Sequence, residues 1–125
     1  MPDDFRSFRA GPDPFGKTWQ VDYAWLQTGT AIRHADTVDV KFFLHDGQTR
    51  IEKIVAMRHP DLLELAVRES RPLTDPWCAR LAAAHIEHMV ATAEDMEKSL
   101  VTLTPAQLQH YAALVAQPAA GQVLS

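Results

Sequence analysis

The segment 37–47, which has the sequence TVDVKFFLHDG, decides the fold of this chain. Polar and apolar residues alternate along it, and the apolar set is Val38, Val40, Phe42 and Leu44. A period of two residues is typical of a β-strand that buries one face. Asp46-Gly47 follows at once and favours a tight two-residue turn, because both central residues of a type I′ turn need positive φ. The segment therefore predicts a central strand and the start of a hairpin.

Strand patterns also flank this segment on both sides. The preceding one has four alternating residues that we expect on an inward face: Trp19, Val21, Tyr23 and Trp25. The following one covers about 49–57, where Ile51 and Ile54 lie three residues apart. This spacing predicts either a bulge near Glu52-Lys53 or burial on both faces further along. Together the three patterns predict a three-stranded antiparallel meander.

After the meander, two prolines mark the predicted starts of helices. Pro60 suits the first turn of a short helix over about 59–69, since its missing N–H is not needed there. Asp75 directly before Pro76 predicts the N-cap of a long helix that extends to about residue 98. On this long helix the apolar and charged residues separate onto opposite faces.

A last helix is predicted from a capping box, in which Thr104 is followed three residues later by Gln107. It ends before Pro118. The resulting fold class is α+β, with the three-stranded antiparallel meander followed by three helices packed mainly on one face of the sheet. Such a sheet leaves its other face and two edges exposed, and self-association covers them most simply.

The chain length of 125 residues predicts one hydrophobic core. We assign 17–117 to a single α+β domain, 1–16 to an extended N-terminal arm and 118–125 to a frayed C-terminal tail. The arm is rich in proline and glycine but also contains three aromatic residues, Phe5, Phe8 and Phe15. A disordered tail is poor in aromatics, so we expect the arm to dock on its own domain or on a second subunit.

Composition argues against several classes of protein. No apolar run approaches the roughly 18 residues of a membrane-spanning helix, and the first four residues are acidic where a signal peptide is basic. Cys78 is the single cysteine, so no internal disulfide can form. We therefore expect a cytoplasmic protein with no membrane association.

Nucleic-acid binding is also disfavoured. Trp19, Tyr23 and Trp25 resemble a base-stacking platform, but such platforms work beside a positive groove that follows the phosphates. The formal net charge of the chain is −4. The same aromatics are explained more simply as a core between sheet and helices.

The strongest metal-like grouping is Cys78, His85 and His88 on the long helix. Helical rise separates Cys78 from His85 by about 10 Å, so one ion cannot bind both. We therefore predict no metal site and no cofactor. A buried, hydrogen-bonded His85 and a core Cys78 are the expected roles.

Two functional hypotheses remain. The first is a non-enzymatic protein-binding or adaptor module that acts as a homodimer and contacts a protein partner. The second is a small enzyme or ligand-binding protein with an apolar pocket between the sheet and the long helix. The residues expected to line that pocket are Tyr23, Trp25, Trp77, His85 and His88.

Overall fold

The computed structural model of the chain describes residues 5–29 and 36–116. The tail predicted at 118–125 lies outside these residues. The described elements, in chain order, are β1 (Ser7–Ala10), β2 (Trp19–Gly29), β3 (Thr37–His45), β4 (Arg50–Arg58), α1 (His59–Arg68), α2 (Asp75–Thr92), β5 (Leu100–Thr102) and α3 (Pro105–Ala116).

The five described strands form one sheet in the order β1-β2-β3-β4-β5. Neighbours are antiparallel except for β4 and β5, which are parallel. The predicted three-stranded meander is the centre of this sheet, and the prediction of three strands is corrected to five. The two additional strands have four and three residues. Segments this short carry too few positions for alternation to be recognised.

Strand β1 arises from the aromatic residues of the arm. Phe8 pairs with Val21 of β2, and both Phe5 and Phe8 are buried in the core of their own chain. The ring of Phe5 meets that of Tyr23 edge-to-face at a centroid distance of 5.3 Å. Phe15 differs, with 85% of its surface exposed. Two of the three phenylalanines therefore attach the arm to this domain.

A β-bulge at Ala24 interrupts β2. Tyr23 is paired with Phe42, whereas Trp25 is paired with Lys41, so β2 has one extra residue between two consecutive positions of β3. Because side chains alternate across a sheet, this extra residue reverses the face on which the following side chains lie. Tyr23 faces the core with Phe42, and Trp25 faces the opposite side with Lys41.

Strand β4 has no corresponding bulge, because its pairing with β3 continues without a shift of register. Its irregular pattern instead reflects burial on both faces, the second alternative predicted from the sequence, since the three consecutive residues Val55, Ala56 and Met57 are all buried. Parallel β5 pairs along this part of β4. Pairing on both sides places these residues in the interior of the sheet rather than at its edge.

The β3–β4 hairpin has a longer loop than the predicted two-residue turn. His45 pairs with Arg50, which leaves four residues, 46–49, in the loop. The Asp46 carboxylate accepts hydrogen bonds from the backbone N–H of Gln48 and of Thr49, at 2.9 and 2.7 Å. These bonds hold the pKa of Asp46 well below its ordinary value and stabilise the longer loop.

Helix α2 is shorter than predicted at its C-terminal end. Its N-cap is Thr74 rather than Asp75, and the Thr74 hydroxyl accepts a hydrogen bond from the N–H of Trp77 at 3.3 Å. The helix ends at Thr92 instead of residue 98, because Ala93 adopts a left-handed conformation with φ of 59°. The periodic pattern does not reveal that stop, since alanine is a strong helix former.

Lys53 holds the segment that follows α2. Its side chain lies on the core face of β4 and is only 2% exposed. The ammonium donates to the backbone carbonyl oxygens of Asp95 at 3.5 Å, of Met96 at 2.5 Å and of Lys98. Burial lowers the pKa of Lys53, and the three carbonyls compensate the buried charge. This contact brings the chain back to the sheet, where β5 begins.

Helix α2 packs across β1, β2, β3 and β4 on the face that carries the buried side chains. Helix α3 packs in turn against α2 and α1. Both sides of α2 are therefore covered, and eleven of its eighteen residues are buried. The capping box predicted at the start of α3 is present, with reciprocal bonds between Thr104 and Gln107 of 2.9 and 3.2 Å.

The N-cap of α2 can be tested with two neighbouring substitutions. Thr74→Ala removes the hydroxyl acceptor and should lower the free energy of unfolding by about 0.5–2 kcal/mol. Asp75→Ala removes only a first-turn charge and should cost about 0.3–1 kcal/mol. Urea titration of both variants and the wild type measures the difference, and a larger loss for Asp75→Ala would contradict the assignment of Thr74.

Candidate functional site

One face of the sheet, termed here the outer face, is not covered by any of the helices in residues 5–29 and 36–116. The strand register places on it the outward side chains of β3 and those of their pairing partners in β2 and β4. The residues of β1 and β5 that pair with these partners lie on the same face. The side chains on this face whose burial the structure describes are exposed or half-buried, except for that of Ala56, which is buried. Among the outer-face residues are Arg9, Asp22, Trp25, Asp39, Lys41, Phe43, Arg50, Glu52, Ile54, Arg58 and Leu100.

Aromatic rings and cations meet at the centre of the outer face. The Lys41 ammonium lies 5.8 Å from the ring centroid of Trp25 and 5.0 Å from that of Phe43. The Arg50 guanidinium also lies over the ring of Phe43, 3.9 Å from its centroid. These cation–π contacts orient two large rings that solvent still reaches.

Ile54 and Leu100 extend the apolar surface toward β5. They are direct neighbours in the β4–β5 ladder, and Leu100 is 57% exposed. With Trp25 and Phe43 they form an apolar set that we call the outer-face patch. Apolar side chains gathered on one exposed surface are characteristic of interaction sites.

The sequence contains a signal for this patch that the alternation pattern obscures. Phe43 and Ile54 occupy positions of β3 and β4 at which alternation calls for a polar residue. In the sequence alone, an apolar side chain at either position is equally compatible with the core. Only the strand register shows that Trp25, Lys41 and Ile54 lie on one surface, because Lys41 pairs with Trp25 on one side and with Ile54 on the other.

Charges on the outer face are nearly balanced. Four basic residues, Arg9, Lys41, Arg50 and Arg58, accompany three acidic ones, Asp22, Asp39 and Glu52. Lys41 and Glu52 form an ion pair at 2.5 Å. The face thus carries little net charge, although the chain as a whole has a formal charge of −4.

The residues predicted to line a pocket are distributed over different parts of the molecule. Trp25 lies on the outer face, as described above. Tyr23 lies on the core side, where its ring meets that of Phe42 at 6.1 Å. Trp77 is only 1% exposed, and the Arg71 guanidinium lies 4.5 Å from its ring centroid. Trp25 and Tyr23 thus lie on opposite sides of the sheet.

His85 and His88 remain close to each other on α2, with ring centroids 6.1 Å apart. His85 is 3% exposed, and its Nδ1 lies 2.7 Å from the hydroxyl of Tyr111 on α3. Burial lowers the pKa of His85 to about 4 and raises that of Tyr111 to about 12. Both side chains are therefore neutral near pH 7 and join α2 to α3 by a buried hydrogen bond.

His88 lies nearer the surface. Its Nε2 is 3.0 Å from a carboxylate oxygen of Glu94, which follows the end of α2. His88 also lines a groove of about 270 Å³ between α2 and α3. Of the two histidines predicted for a pocket, this one lies at an open cavity, on the helical side of the molecule and away from the outer face.

The described residues contain no group of three or more His, Cys, Asp or Glu side chains that could hold a metal ion. Burial raises the pKa of the Cys78 thiol to about 12, so this thiol is protonated and unreactive at neutral pH.

The chain matches no protein-family model, no curated protein and no solved structure. No helix in the described part has both the length and the apolar character needed to cross a membrane.

The buried His85 makes stability depend on pH. Unfolded histidine has a pKa near 6.5, so below that pH the unfolded chain takes up a proton that folded His85 does not accept until about pH 4. The free energy of unfolding should therefore fall as the pH decreases over this interval, by up to about 3 kcal/mol from this residue.

Urea unfolding at a series of pH values measures this dependence. In His85→Gln the decrease between about pH 6.5 and pH 4 should be smaller, because glutamine does not titrate. His110→Gln, at an exposed position of α3, is the matched control for the loss of a histidine, and His85→Gln should have the shallower dependence of the two. An unchanged slope in His85→Gln would contradict the burial of a neutral His85.

Proposed function

We propose that this chain is a protein-binding module that acts as a homodimer, in which the outer faces of two copies pack against each other. The observation that carries the proposal is the outer-face patch of Trp25, Phe43, Ile54 and Leu100. Burial of such side chains contributes about 1.5–3 kcal/mol each when complete. Sheets pack face to face in this way about 10 Å apart in β-sandwiches.

Charge supports a second copy of the same chain as the occupant. Two molecules with a formal charge of −4 repel each other unless their contact surfaces are neutral or complementary. The outer face carries nearly equal numbers of acidic and basic side chains, three and four. In a two-fold symmetric pair each face meets itself, so Arg50 of one copy can approach an acidic residue of the other.

The size of the face is compatible with this interface. The central strands have 11, 9 and 9 residues. With about 3.3 Å per residue and about 4.8 Å between strands, the five strands cover roughly 500 Å² in projection. Projecting side chains enlarge the accessible area beyond that projection, toward the roughly 800 Å² per partner of a standard interface.

The alternative hypothesis, a pocket between the sheet and α2, has less support. Tyr23, Trp77 and His85 are engaged with core neighbours or with Tyr111. Trp25 lies on the other side of the sheet. Ligand binding is better sought on the helical side of the molecule, in the groove beside His88.

Sedimentation equilibrium of the wild type and one variant tests the dimer. Trp25→Asp places a charge at the centre of the outer-face patch and should weaken dimerisation by about thirtyfold, which corresponds to about 2 kcal/mol. Val67→Asp introduces the same change at a position of α1 that is 79% exposed and outside the patch. This control should dimerise like the wild type.

Two results would contradict the proposal. If the wild type remains monomeric at high micromolar concentration, the proposed homodimer is wrong. A Trp25→Asp variant that is folded by circular dichroism and dimerises like the Val67→Asp control would place the interface elsewhere.

A further inference from the structure

Four outer-face residues lie in one row across the sheet. The pairing register aligns Trp25 of β2, Lys41 of β3, Ile54 of β4 and Leu100 of β5, in that order. We call these four residues the cross-strand row. A large apolar side chain stands at each end of the row, and that of Leu100 is 57% exposed. Both ends therefore offer apolar surface to a second copy.

The order of side chains along the row decides how two copies fit together. A two-fold axis that exchanges two outer faces lies in the plane between them. Aligned sheets keep their strand directions within about 30° of each other. The axis therefore runs nearly parallel or nearly perpendicular to the strands, and the two orientations bring different side chains into contact.

An axis parallel to the strands and midway between β3 and β4 sets the row against itself in reverse order. Trp25 of each copy then faces Leu100 of the other, and Lys41 faces Ile54. The Lys41 ammonium keeps its ion pair with Glu52 of its own chain, while its hydrocarbon stem covers Ile54. The apolar ends of both rows are thus covered without setting Lys41 against another cation.

An axis directly over one strand is less favourable because like charges then meet. Over β3, the axis sets Lys41 against Lys41 and Asp22 against Glu52. Over β4, it sets Glu52 against Glu52. Like charges placed opposite each other in an interface are repulsive. Midway between the two strands, Glu52 instead faces Phe43 of the second copy.

An axis perpendicular to the strands matches charges better than apolar surfaces. Over the row itself, it sets Lys41 against Lys41. Half a row spacing toward Asp39, it brings Lys41 opposite Asp39 of the second copy. In that position, however, Trp25 faces the polar Gln27. Exposed ion pairs contribute little to stability, whereas aromatic side chains at the centre of an interface dominate binding. The reversed row is therefore the better arrangement.

We propose that Trp25 of each copy docks on Leu100 of the other, with the two cross-strand rows reversed. This inference rests on the proposed homodimer and specifies which part of each outer face meets which. It also gives β5 a role in binding, since this strand of three residues supplies the surface that receives the indole ring.

An isotope-filtered nuclear Overhauser experiment on the wild-type chain tests the arrangement. Carbon-13-labelled and unlabelled protein are mixed and left to exchange subunits, so that the filter selects contacts between copies. We expect cross-peaks between copies from the Trp25 indole protons to the Leu100 methyl groups. Within one copy β3 and β4 lie between the strands of these two residues, so such a contact belongs to the dimer.

The outcomes separate this inference from the proposed homodimer. Cross-peaks between copies from Trp25 to Gln27, with none to Leu100, would overturn the reversed row and leave the dimer in place. A chain that is monomeric by sedimentation equilibrium would overturn both.

Two leucine variants measure the importance of the docking surface. Leu100→Ala should weaken dimerisation by about tenfold, because the side chain that receives the indole is lost. Leu63→Ala is the matched control, at a position of α1 that is 46% exposed, and should dimerise like the wild type. Equal dimerisation of a folded Leu100→Ala and the control would overturn the proposal.

A double variant separates direct contact from membership of the same patch. If the side chains of Trp25 and Leu100 touch between copies, the loss of either one already removes their shared contact. Trp25→Ala combined with Leu100→Ala should therefore dimerise only slightly more weakly than Trp25→Ala alone. Fully multiplicative effects of the two substitutions on the dissociation constant would overturn the contact.

Discussion

The extra residue at Ala24 is the constraint on which the two surfaces of the sheet depend. It leaves Tyr23 opposite Phe42 and brings Trp25 opposite Lys41, so two aromatic residues of one strand serve opposite faces. Tyr23 joins Phe5 and Phe42 in the core. Trp25 joins Phe43 and two cations outside. Without the bulge, Trp25 would lie on the core side, and the outer face would lose its central ring.

A second constraint fixes the far side of the sheet. Lys53 is buried on β4 and binds three carbonyls of the segment 95–98. That segment leads directly into β5, whose Leu100 lies beside Ile54. The buried ammonium thus connects the end of α2 to an edge strand and completes the apolar part of the outer face. One lysine thereby links the helical layer to the proposed interaction surface.

Much of this architecture is predictable from the sequence, because strands β2 to β4 and the starts of the helices are set by alternation, proline and capping residues. Thr104 and Gln107 form the expected box. The rest depends on tertiary context. A single alanine gives no sign that it will bulge, and three-residue β5 is too short for any pattern. The sequence places Glu87 on a charged helix face, and only the packing of α3 against α2 creates the groove beside it.

The outer face depends most directly on the side of the sheet that Trp25 occupies. A nuclear Overhauser spectrum that resolves the Trp25 indole protons measures this without any substitution. We predict cross-peaks to the side chains of Lys41 and Phe43, with none to Val40. Cross-peaks to Val40 and Phe42 instead would place Trp25 in the core and contradict both the bulge and the outer face that follows from it.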